Sequence, residues 1–193
     1  MIIDKRLVEG IVEIGIQEIK KMNNGKIDYQ INIELADTNA TILSNKKDFI
    51  KKRLFRRKYN TMKFRLLYSN ISSNDRELLK KILYTPNGIN FQEIEYKYNI
   101  KEEIAIFIMA IFHELGHIFD MIDDVKKHKY LERDKLNSLQ YIAYKLTMDF
   151  FKTREEQVRE YKNLNREKFA DELGIKMFKE NIEKISILVN QFA

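Results

Sequence analysis

From Ile104 to Phe112 the chain runs through isoleucine, alanine, phenylalanine and methionine without one polar residue. A helix that is apolar on every side has no face to give to water, so this segment must pass through the middle of a domain. The run leads directly into His113-Glu114-Leu115-Gly116-His117. Residues four apart share a helical face, so the two imidazoles project side by side from an element that is buried. Buried imidazoles need partners. Asn99 followed by Glu102 has the form of a capping box, which predicts a helix from Ile100 through Asp120.

Two histidines at this spacing, with a glutamate between them, form the HExxH arrangement. Neutral imidazoles are good zinc ligands, and Glu114 lies beside whatever the metal binds, placed to take a proton from water. A catalytic zinc site uses three protein ligands and leaves a fourth position open. A third histidine after a turn-forming glycine, as in HExxHxxGxxH, is excluded because Asp120 and Asp123 hold those positions. A variant ending in aspartate would use Asp123 but lacks the same glycine. The other candidate lies far downstream, where Glu167 and Asp171 are four apart with Ala170 beside them. If Glu167 ligates, Asp171 can accept the free ring N–H of a ligand histidine, and Ala170 lets the helix approach another closely. The competing reading of this pair is the solvated acidic face of an ordinary helix.

HELGH followed by Glu167-Lys168-Phe169-Ala170-Asp171 resembles the glutamate zincins, or gluzincins, in the minimal form found in bacterial and phage-borne metallopeptidases. The resemblance covers about Lys101 to Ile175. It implies that His113, His117 and Glu167 hold one zinc ion per chain, that Glu114 is the general base, and that Asp171 supports a ligand histidine. The run from Tyr161 to Asp171 is similar to the tyrosine-containing approach to the glutamate helix in these enzymes. A more distant likeness is to the anthrax lethal-factor and Pro-Pro endopeptidase type, from which the chain departs by one residue of spacing and by Asp171 in place of glutamate.

Attack of water on a peptide carbonyl creates an oxyanion, which a hydrogen-bond donor aimed at it stabilises. Tyr161 can supply that donor from just before the glutamate helix, with a packing role as the alternative. His128, in the polar stretch after the metal helix, is the next choice.

The remaining composition bounds class and compartment. A chain of 193 residues is expected to form one domain, here spanning 1–193. With no cysteine, disulfides and thiolate metal sites are excluded, so zinc must be held by His and carboxylate. The first residues meet charge at once and no apolar stretch reaches membrane-spanning length, so a cytoplasmic protein without membrane contact is expected. The net charge is +6. Much of the excess lies between Lys46 and Arg65, where Asp48 is the one acidic residue. That segment is a solvated face or a surface for nucleic acid or an acidic partner. The rival functions are therefore a nucleic-acid-binding or regulatory protein, and a peptidase-like module that binds without cutting.

Val8, Ile11, Val12, Gly15, Ile16 and Ile19 follow a helical period, while Ile27 to Leu35 and Met62 to Tyr68 alternate as strands do. A short strand at Thr41 to Ser44 and a basic helix over Asp48 to Tyr59 complete the first part. Ser72 or Ser73 starts a helix through Leu83, Pro86-Asn87-Gly88 turns the chain, and helices follow the metal helix to Phe192. This order predicts an α+β, zincin-like fold: a small β-sheet, a central buried HExxH helix, and a C-terminal helical part carrying the glutamate ligand. An edge strand beside the cleft would hold a protein or peptide substrate by main-chain hydrogen bonds.

Overall fold

A computed structural model describes residues 4–23, 28–35, 61–68, 73–126, 130–148 and 153–192. Helix α1 (Lys5–Asn23) is followed by strands β1 (Asp28–Leu35) and β2 (Thr61–Tyr68), then by α2 (Ser73–Leu79) and α3 (Phe91–Tyr98). The long α4 (Glu102–Lys126) comes next, then α5 (Tyr130–Thr147), α6 (Arg154–Lys162), α7 (Asn165–Glu180) and α8 (Ile182–Phe192). No helix among the described residues is long and apolar enough to cross a membrane.

The α+β expectation is corrected by this architecture, which is mostly helical. β1 and β2 pair in parallel with each other, Asp28 opposite Thr61 through Leu35 opposite Tyr68, and no further strand joins them among the described residues. A two-stranded ribbon is too narrow to serve as a layer on which helices rest. Among the side chains described, the core is built by helix-on-helix packing, and every buried apolar residue lies in a helix or a helix connection. The expected strand at Thr41 to Ser44, the basic helix over Asp48 to Tyr59 and His128 fall outside the described residues.

Helix α4 is the axis of this packing. Ile104 to Met109, Ile111, Phe112, Leu115 and Ile118 are all buried, as a helix without a polar face requires. Its start differs from the expected one. Asn99 does not cap α4 at all; it ends α3 in the left-handed conformation, φ 54°, with its N–H bonded to the Glu95 carbonyl. Asparagine tolerates that geometry better than most residues, and its side-chain amide donates to Asn190 Oδ1 at 2.7 Å, tying the corner to α8. The first turn of α4 forms instead on the Lys101 carbonyl.

Around this axis, α1 contributes Leu7, Val8, Ile11, Val12 and Ile19 to the core. It starts at Asp4, whose carboxylate accepts the Arg6 N–H at 2.8 Å. After α2 the chain widens into a π turn over Lys80–Tyr84 and reverses at Thr85–Gly88, where Gly88 takes φ +73°. Asn90 accepts the Glu93 N–H to begin α3. A capping box of Thr153 and Glu156 begins α6. By contrast α7, entered at Leu164, has no side-chain cap.

Helices α4 and α7 cross at backbone contact, because small residues meet there. A Cβ on Gly116 would lie 2.9 Å from Ala170 Cα, and a Cβ on Gly174 would lie 2.8 Å from the His113 backbone nitrogen. The atoms met are backbone, which cannot swing aside as the end of a side chain can. Gly174→Ala is therefore expected to cost about 1 to 3 kcal/mol by overpacking, against a small gain in helix propensity. Denaturant unfolding checks this, and an unchanged midpoint would show that α7 can withdraw without penalty.

Candidate metal centre

The crossing of α4 and α7 brings the distant sequence segments together. His113 and His117 stand one turn apart on α4 with their rings edge to face, centroids 4.6 Å apart and planes at 83°. Their Nε2 atoms approach to 3.1 Å. Glu167, in the first turn of α7, faces both: Oε2 is 3.3 Å from His113 Nε2 and Oε1 is 3.4 Å from His117 Nε2. Glu114 is set further back, with Oε1 4.0 Å from His113 Nε2. His113, Glu114 and His117 by themselves form a cluster able to hold a metal ion, but the closer carboxylate is that of Glu167.

On the far side of the His113 ring, Nδ1 lies 2.6 Å from Asp171 Oδ1. A carboxylate there favours the Nδ1–H tautomer and turns the Nε2 lone pair toward His117 and Glu167. Two imidazole nitrogens and the two oxygens of one carboxylate then face one another in a buried pocket, where a shared proton or a cation can lie among them. The separations of 3.1, 3.3 and 3.4 Å suit a cation. Ligands about 2.0 to 2.2 Å from a tetrahedral zinc are separated by about 3.3 to 3.5 Å, and a set of two imidazoles and one carboxylate is a zinc donor set. The residues fit the metal.

Burial dominates the electrostatics. It pushes the Glu114 carboxyl up to about 7, with Glu167 adding to the rise and His113, Lys162 and Arg166 opposing it. It pushes His117 down to about 4. Burial also works against the charged form of His113, as does Lys162, but Asp171 and Glu167 outweigh them and the imidazole is raised above its ordinary value. For Glu167 burial acts upward, yet the two histidines hold the carboxyl far below its usual range. A carboxylate kept ionised beside imidazoles is ready to ligate a cation.

Tyr161 is half-buried on α6, its ring 5.7 Å from that of Tyr144. Burial first, then the charge of Glu167 and a hydrogen bond to it, then the charge of Glu114, lift its phenol far above the usual value, so it stays an O–H donor at the edge of the same pocket. The structure therefore brings together His113, Glu114, His117, Tyr161, Glu167 and Asp171. The side chain of Asp123, like His128, is outside the described residues.

Two features were not anticipated from the sequence. Lys162 reaches back from the end of α6 to place Nζ 2.9 Å from Asp171 Oδ1 and 3.9 Å from Glu167 Oε2. One lysine in a chain with 35 Lys and Arg residues carries no distinguishing signal. The other is the pair Gly116 and Gly174. Ala170 and Gly174, both small and four apart, offer a signal for a close crossing that was readable only in part from Ala170.

Comparison with family models, with curated proteins and with solved structures finds no match to this chain.

If His113, His117 and Glu167 together hold a cation, its binding should depend steeply on each. The purified chain is expected to bind about one zinc ion, and replacing either His117 or Glu167 by alanine should weaken zinc binding strongly, because two ligands do not make a closed site. Elemental analysis after gel filtration reads this out. Full occupancy in a His113→Ala, His117→Ala double variant would rule the centre out.

Proposed function

We propose that this chain is a zinc-dependent peptidase, probing or processing protein and peptide substrates by hydrolysis. The observation that carries the reading is the division of labour between two carboxylates: Glu167 completes a ligand triangle with both histidines, whereas Glu114 stands beside it, 4.0 Å from the nearest ligand nitrogen. The likeness of HELGH and the Glu167 to Asp171 segment to gluzincins supports the same assignment.

His113, His117 and Glu167 would hold zinc, which when bound would supply Lewis acidity toward the reacting water and carbonyl. Glu114 takes the proton of that water and returns it to the leaving amine. Burial raises its basicity toward neutral pH, as a group that must both accept and release a proton requires. Tyr161 donates its hydroxyl to the oxyanion, for which its resistance to ionisation suits it. Asp171 Oδ1 stands against His113 Nδ1 and favours the tautomer in which Nε2 keeps its lone pair.

Glu114→Gln removes the base without touching a ligand. It is expected to keep zinc and thermal stability while lowering hydrolysis by about two to four orders of magnitude. The assay is a proteome-derived peptide library in which new termini are scored by mass spectrometry, with and without chelator. Equal cleavage by wild type and Glu114→Gln, or no chelator-sensitive cleavage at all, would refute the peptidase reading.

Tyr161→Phe keeps the ring and deletes the donor. Loss of one oxyanion donor costs about 2.7 to 4 kcal/mol, so kcat should fall by about two to three orders of magnitude with little change in KM. A near wild-type rate would make Tyr161 a packing residue.

A further inference from the structure

Lys162 has no part in the chemistry just described, yet its side chain is only 15% exposed and it ends among the carboxylates of the centre. Nζ lies 2.9 Å from Asp171 Oδ1, the same oxygen that lies 2.6 Å from His113 Nδ1, and 3.9 Å from Glu167 Oε2. One carboxylate oxygen is thus shared between a supporting ammonium and a ligand imidazole. A lysine in the last turn of a helix could as easily have pointed to water. Burying its ammonium is costly unless it neutralises something.

We propose that Lys162 is a built-in counter-ion that sets how tightly the centre holds its divalent cation, an inference that rests on the metal-site reading above. Its charge acts in two opposite directions. It neutralises Asp171 and Glu167, which supports the fold where these carboxylates are crowded together. It also stands close to the position a dication must take, and it draws electron density from the Asp171 oxygen that makes His113 a better ligand. Lys162 is therefore a positioning residue that trades cation affinity for stability of the surrounding helices. A lysine that only packs would not do this: removing it would lower stability and, by loosening the ligands, cation affinity with it.

The test uses the full chain, zinc affinity by competition with a chromogenic chelator, and the thermal midpoint in excess chelator. Lys162→Met is expected to lower the midpoint in chelator while tightening zinc binding by about tenfold or more. Lys162→Gln, which keeps an N–H donor but no charge, should shift affinity in the same direction and covers the case in which the methionine variant does not fold. Lys162→Arg keeps the charge and should stay within about threefold of wild type. Unchanged or weaker zinc binding in the neutral variants, or tighter binding in the arginine variant, would overturn the proposal. A wild-type chain that binds no zinc would fail in its own arm and take the metal reading with it. Absence of peptidase turnover would leave both readouts intact and would count against the function alone.

Discussion

Everything at the centre depends on how closely α4 and α7 approach. Gly116 lies against the backbone of Ala170, and Gly174 against the backbone of His113, so the two helices touch without intervening side chains. A glutamate side chain is short. At an ordinary interaxial distance of about 8 to 10 Å the space would be filled by larger residues, and Glu167 could not reach both histidines. The small residues thus do chemistry indirectly. They sacrifice helix propensity to bring a carboxylate fifty residues away in sequence to within 3.4 Å of two imidazoles.

That geometry gathers Glu114, Glu167 and Asp171 with His113 and His117 in a pocket from which water is largely excluded. Each member is intelligible only through the others. Glu167 remains ionised because two imidazoles face it, His113 is raised because two carboxylates do, and Glu114, with weaker support, is driven toward protonation. Lys162 and Arg166 supply the positive charge that keeps such a concentration of acids tolerable.

The central helix and the histidine pair on it were legible because their signals are local and dense. An all-apolar run is forced inside whatever surrounds it, and the spacing of His113 and His117 holds on any helix. Glu167 and Asp171 were legible as a pair on one face, though their meeting with the histidines depended on a crossing that periodicity cannot express. Fold class was misread because alternation at Ile27 to Leu35 and Met62 to Tyr68 says nothing of how many strands will assemble, and among the described residues helices predominate and only two strands pair. Asn99 was misread because one residue serves equally well as an N-terminal cap or as a left-handed end, and what decides is the preceding helix, α3. Lys162 was invisible, since its role is defined by partners nine and five residues ahead, on the other side of a helix corner.

Helix α7 begins at Asn165 behind Leu164, which offers no side-chain cap, and Glu167 lies in that uncapped first turn. The exposed amides there favour an anion, so the carboxylate stabilises the turn that carries it. Ligation would then do what a cap does elsewhere. A cation held there would fasten the first turn of α7 to α4, joining ligand arm and helix end in a single latch while both histidines stay on the buried helix.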